Sequence, residues 1–371
     1  MMLAERIKAG DFPSAVYLVA ENNHVAFADA LGDAVRTVSD QRAATIETIY
    51  DLASLTKPLV TGLLTARRVE RRALTLETKA CDILPEFSRA DKQTITLRHL
   101  LAHTSGLPAW RPLYLITDDP QSALQTIADE PLQSEPGAHV RYSDLGFITL
   151  GFLLERLTNF SLTQLATREI FVPLDLQRTF FNPDISYKEK IAASETGNLY
   201  ERTTCGAIER EAMLTPDTGW REGLIHGQVH DGNAYFLGGA AGHAGLFSTA
   251  HDTLRLCMQF LAQSTQLLQP ETCALFRTNL TIGMEEARSF AWQLAATKDS
   301  TAGASLPRHS FGHTGFTGTS CWIDPENERI FILLTNRTHD CAVPFININS
   351  VRRRFHTLAV AALCKARGDS Q

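Results

Sequence analysis

Three short stretches carry side chains whose types and spacing suit acyl transfer. The first is Ser54-Leu55-Thr56-Lys57-Pro58, in the setting Tyr50-Asp51-Leu52-Ala53. A serine followed three residues later by a lysine places hydroxyl and amine one helical turn apart, within side-chain reach. An amine beside a hydroxyl can take its proton, which would activate Ser54 as a nucleophile. The same pattern also describes an ordinary N-cap serine followed by a solvated lysine, because only two positions of it are fixed. The second stretch, Tyr142-Ser143-Asp144, stands at the mouth of an apolar segment. Tyr142 there is equally readable as a packed ring, and Asp144 as the N-cap of the helix that follows. The third, His313-Thr314-Gly315 with Phe316 after it, falls late in the chain.

The elements that must hold these groups are readable from periodicity. Leu59, Val60, Leu63, Leu64 and Val69 recur at helical spacing, and Pro58 is tolerated only near a helix start. The pattern predicts a helix beginning at Ser54 or Leu55, with the serine at the positive end of its dipole. Val16 to Ala20 and Val25 to Gly32 predict a β-hairpin across a polar turn, and Thr48 to Leu52 a short extended entry to the serine helix. Leu97 to Leu101 predicts a helical turn ending in the loop His103-Thr104-Ser105-Gly106-Leu107-Pro108, read as structural. Gln121 to Asp129, Leu145 to Leu157 and Leu162 to Phe171 predict further helices. The stretch 182–223 is polar and aperiodic and predicts loop. The Gly-rich run 236–247 predicts a backbone-dominated loop, with a helix following Ser248. Strands return at Ser310 to His313, Gly318 to Ile323 and Arg329 to Thr335, and Ser350 to Lys365 predicts a closing amphipathic helix. Strands at both ends with helices between predict one α/β lobe, 1–66 and 290–371, and a mainly helical inserted lobe, 67–289, with the site at their junction.

Bulk properties narrow the function. The chain has 371 residues, 44% hydrophobic and 20% charged, which is ordinary for a globular protein. A net charge of -6 gives no basic footprint, so nucleic acid is not an expected partner. No run approaches the roughly 18 apolar residues of a membrane span, and the first residues have no signal-like apolar core. The seven cysteines are scattered and form no C-x-x-C pair, which predicts free thiols and a cytoplasmic setting. His226, His230, Asp231 and His243 are dense enough to suggest a metal, yet match no standard zinc spacing. They read as a loop held by its own hydrogen bonds that could line the substrate pocket. No G-x-S-x-G elbow and no nucleotide-binding glycine pattern occurs, and no cofactor is expected.

S-x-x-K, then Y-x-[N/D], then [K/H]-T-G, in this order, resembles the serine β-lactamase and penicillin-binding-protein superfamily. The branch most similar holds class C β-lactamases and related serine esterases. Leu100 to Pro108 and Ala244 to Thr249 agree with it, and the resemblance spans nearly the whole chain. It implies an antiparallel sheet flanked by helices, of α/β (α+β) class, with an inserted helical lobe. It implies that Ser54 forms an acyl-enzyme, that Lys57 holds Ser54 and Tyr142 in one cluster, and that Tyr142 is the general base. An ammonium nearby favours the phenolate. The backbone N–H groups of Ser54 and Phe316 would form the oxyanion hole, where losing one donor costs roughly 3–4 kcal/mol. Thr314 and Gly315 would line the substrate edge. Asp144 stands where the family more often has asparagine; an acid there could pair with Lys57 or meet a basic substrate group. His313 replaces the lysine that suits a β-lactam carboxylate, and histidine is mostly neutral near pH 7. The expected activity is hydrolysis of a small ester or amide. A β-lactamase or D,D-peptidase activity on cell-wall peptides and a non-catalytic binder are the alternatives.

Overall fold

The computed structural model describes residues 2–212 and 220–368. Its strands in chain order are β1 (Ser14–Glu21), β2 (His24–Arg36), β3 (Gln41–Ala43), β4 (Tyr50–Asp51), β5 (Phe180–Phe181), β6 (Leu246–Ser248), β7 (Gln293–Leu294), β8 (Phe311–Thr314), β9 (Ser320–Asp324) and β10 (Arg329–Thr335). Seven of them form an antiparallel sheet in the order β3-β2-β1-β10-β9-β8-β7. β1 and β2 are the expected hairpin. Their turn residues Asn22 and Asn23 have φ of 51° and 63°, the left-handed pair that a tight hairpin turn requires and that asparagine tolerates.

Both faces of the sheet are covered, so its central strands read as nearly continuous apolar runs. Alternation still divides them. Val16, Leu18, Ile330, Ile332 and Leu334 face the main core with Leu59 and Leu63 of the serine helix. Ala15, Val19, Phe331 and Leu333 face the closing helix, Asn349–Gly368, through Val351 and Phe355. At about 25 cal/mol per Å², a buried Leu or Phe on either face contributes roughly 1.5–3 kcal/mol.

The structure departs from expectation at four places that bear on the site. The serine segment is not one clean helix. A 3-10 turn, Ala53–Leu55, leads into a widened turn, Lys57–Gly62, before regular α-helix at Leu63–Glu70. Pro58 lies in the widened turn, where its missing N–H removes one ladder bond. The N-cap of helix Asp144–Thr158 is Ser143, whose Oγ accepts from Gly146 N–H at 3.1 Å, so Asp144 is not the cap. Part of the stretch expected as loop is helix, Leu199–Ala212, while residues 213–219 lie outside the described residues. This helix is anchored by polar ties. Glu201 accepts from Gly232 N–H at 2.8 Å and from the Tyr114 hydroxyl, so no apolar stripe announces it. Finally, the Gly-rich run ends in β6, the centre of a small sheet of order β4-β6-β5. That sheet joins the entry of the serine turn to the glycine loop.

Candidate active site

The turn that carries Ser54 is held in an unusual backbone conformation. Ala53 has φ of 48°, left-handed for a residue with a Cβ, which costs about 1–2 kcal/mol. Local bonds hold it there. Asp51 accepts from Ala53 N–H at 2.8 Å with one oxygen and from His230 N–H at 2.7 Å with the other. Thr56 donates its hydroxyl to the Ala53 carbonyl at 2.7 Å and accepts from Leu246 N–H at 3.1 Å. The buried Asp51 carboxylate thus ties the nucleophile turn to the His230 loop.

Lys57 is fully buried behind Ser54. Its Nζ lies 2.9 Å from Ser54 Oγ, 3.1 Å from the His243 carbonyl and 2.6 Å from Asp144 Oδ1. The His243 carbonyl reaches it because the glycine loop lies against helix Asp144–Thr158. A Cβ on Gly242 would sit 2.0 Å from the Phe147 carbonyl oxygen, so no other residue fits. Tyr142 completes the cluster, with its ring centre 4.9 Å from Lys57 Nζ. The ring is set by His103, 4.5 Å away between centroids, whose Nδ1 accepts from Ser143 N–H at 3.0 Å. His103 itself has φ of 59°, and the loop expected to be structural is the support of Tyr142.

The opposite wall is the end of β8 and the turn into β9. His313 donates from Nδ1 to the Thr314 carbonyl at 2.9 Å, which leaves Nε2 as an acceptor. Burial, with the charges of Lys57 and Arg288 nearby, holds its pKa well below the usual histidine value, so the ring is neutral. Two threonines fasten this wall to the serine turn. Thr317 Oγ1 donates to the Asp51 carbonyl at 2.8 Å and Thr319 Oγ1 to the Leu52 carbonyl at 3.0 Å. Arg352 of the closing helix donates to the Gly315 and Thr319 carbonyls, both at 3.0 Å, and brackets the same turn from behind. Burial pulls the Arg352 pKa down to about 9, with Arg337 adding to the effect.

Gly315 is where the two walls touch. A Cβ there would lie 2.1 Å from Thr319 Oγ1 and 2.5 Å from the Leu52 carbonyl. Gly315→Ala is therefore expected to push Phe316 away from Ser54 and lower kcat/KM toward a chromogenic ester by about 10²–10³-fold, the effect of losing one oxyanion donor. Circular dichroism should stay native, and full activity in this variant would show that the wall does not position catalysis.

Between the walls lies a cleft of about 760 Å³ lined by Ser54, Tyr142, Asp144, His313, Thr314, Gly315 and Phe316. The structure thus brings the eight residues expected from sequence to one place, with Lys57 immediately beneath. His230 and Asp231 also line this cleft, whereas His226 faces a separate pocket of about 570 Å³. His243 donates from Nε2 to the Asp231 carboxylate at 2.8 Å, and among the described residues no group of side chains is arranged to hold a metal. Sequence reasoning did not find Thr317, Thr319, Arg288, Arg337 or Arg352. The arginines line the cleft but stand in no motif, and only the Thr-x-Thr run next to Gly315 was adjacent to a recognised pattern.

Known proteins resemble this chain over most of its length. The sequence pattern of the Beta-lactamase family matches residues 2–346. A protein of Escherichia coli (strain K12) named "Putative D-alanyl-D-alanine carboxypeptidase" is 32% identical over 366 residues, covering 91% of this chain and 81% of that protein. Among solved structures, EstCE1, described as a hydrolase with promiscuous acyltransferase activity, superposes with a TM-score of 0.73 at 24% identity over 96% of both chains. A class C β-lactamase from Rhodobacter sphaeroides superposes with a TM-score of 0.70 at 16% identity over 98% of both. At these identities the two superpositions establish the fold.

Proposed function

This chain belongs to the beta-lactamase family and is a serine hydrolase, and from that premise we propose that it cleaves a small ester or amide through an acyl-enzyme on Ser54. The observation that carries the proposal is Ser54 Oγ at 2.9 Å from a buried Lys57, with the Tyr142 ring centre 4.9 Å from the same ammonium, at the floor of an open cleft. In the proposed reaction Ser54 Oγ attacks the acyl carbonyl and its proton passes to Tyr142. The carbonyl oxygen takes negative charge facing the N–H groups of Ser54 and Phe316. Collapse expels the leaving group, which receives the proton from Tyr142, and water repeats the sequence to free Ser54. Lys57 stays in place and orients both hydroxyls.

A neutral His313 favours substrates without a carboxylate at that point of the cleft. The second reading, a D,D-peptidase, has two observations on its side: Arg288, Arg337 and Arg352 line the cleft, and the E. coli relative carries a carboxypeptidase name. Comparing kcat/KM for nitrophenyl acyl esters, N-acyl-D-Ala-D-Ala and a chromogenic cephalosporin separates them. Esters turned over best, with cephalosporin untouched, uphold the esterase reading. Preference for the dipeptide overturns it in favour of the peptidase, and turnover of none leaves a binder.

We assign residues 1–66 and 290–371 to one lobe and 67–289 to the other. This division is supported by a seven-stranded sheet drawn wholly from residues 14–43 and 293–335. Among the described residues no two cysteines are joined as a disulfide, which supports a reducing, cytoplasmic setting. Among the described residues no helix is long and apolar enough to cross a membrane.

A further inference from the structure

We propose that Asp144 sets the charge of the catalytic cluster: its carboxylate holds Lys57 as an ammonium and, by cancelling that charge, keeps Tyr142 a neutral phenol near neutral pH. The inference builds on Ser54 as nucleophile and Tyr142 as base, and adds what decides when that base is available.

Asp144 is free for this role because Ser143 caps the helix in its place. It stands in the first helical turn with Oδ1 2.6 Å from Lys57 Nζ. At that separation the two groups form a close ion pair, and a carboxylate so near favours the charged amine. Burial alone would lower the Lys57 pKa, but Asp144, then Tyr142, outweigh it and raise it. The other groups facing the cluster do not undo this balance. His103 and His313 are buried and held neutral. Arg288, 5.7 Å from the Tyr142 ring centre, is paired with Glu286 at 2.6 Å. Asp231 is engaged by His243 at 2.8 Å, and Arg352 turns its two terminal nitrogens to carbonyls of the far wall and to Asn349.

Lys57 and Asp144 together therefore carry no net charge beside Tyr142. Burial and the Asp144 carboxylate raise the Tyr142 pKa, Lys57 lowers it, and the net direction is upward. Only the phenolate can accept the Ser54 proton as the Oγ–acyl bond forms. With asparagine at 144 the ammonium would stand uncancelled and draw Tyr142 toward phenolate. Asp144 thus acts through its neighbours as a positioning residue, and it places the rise of activity at alkaline pH.

The test reads Tyr142 directly, without turnover. Phenolate absorbance is titrated in wild type, Tyr142→Phe and Asp144→Asn, and the signal missing from Tyr142→Phe belongs to Tyr142. In Asp144→Asn that signal is expected at lower pH than in wild type by about one to two pH units. The rising limb of the kcat/KM profile should move with it. A Tyr142 signal at the same or higher pH in Asp144→Asn overturns the proposal. So does phenolate at Tyr142 near neutral pH in the wild type, an outcome that does not depend on Asp144→Asn folding. A shifted phenolate with an unmoved kinetic limb upholds the charge assignment and instead removes Tyr142 as the base.

Discussion

Ser54→Ala is expected to lower kcat/KM toward any ester the protein turns over by at least about 10⁴-fold, the scale seen when an acyl-transfer serine is removed elsewhere. The loss should fall on chemistry and leave the fold intact. The hydroxyl bonds to Lys57, while the strained turn is held by Asp51 and Thr56, neither of which uses the Ser54 side chain. Intact-mass measurement after treatment with a fluorophosphonate probe checks the covalent step separately. The wild type should gain one adduct and Ser54→Ala none. Equal labelling of the two would place the nucleophile elsewhere.

Lys57→Ala is expected to damage both activity and stability. Without the ammonium, Ser54 and Tyr142 lose their common partner, and kcat should drop by about 10³-fold or more. The stability loss follows from burial. Removing one member of a buried ion pair leaves the other uncompensated and costs about 3–5 kcal/mol. Asp144 is 18% exposed, so water relieves part of its penalty and the lower end of that range applies. The double variant Lys57→Ala/Asp144→Asn removes the stranded charge. It should therefore unfold at higher denaturant than Lys57→Ala alone while remaining inactive. Additive denaturant midpoints across the four proteins would show that the pair does not interact.

Much of this arrangement was legible in the sequence because it is local. The β1–β2 hairpin declares itself through alternation and two asparagines in its turn. Ser54 and Lys57 share one turn, and Tyr142 precedes an apolar helix. The order of the short motifs then resembled one superfamily. What could not be read depends on contacts across the fold. Ser143 and Asp144 are both good capping residues, and only the place of Lys57 decides that the serine caps and the acid turns inward. Helix Leu199–Ala212 is fastened by buried polar groups, which leave no period. Arg352 reads as one more cation of an amphipathic helix until its guanidinium is seen on the carbonyls of Gly315 and Thr319.

The threonine bonds join carbonyls at Asp51 and Leu52 to side chains 266 and 267 residues further along. The serine is therefore synthesised well before the wall that completes its site. β1 likewise waits for β10. Long-range closures of this kind are slow steps in folding. Reactivity is thus a certificate of the finished chain: helical content should recover first during refolding, and labelling of Ser54 should lag behind it. Matching rates for the two signals would contradict this order. A nascent chain that stops short of Gly315 would carry Ser54 without the wall that completes its site.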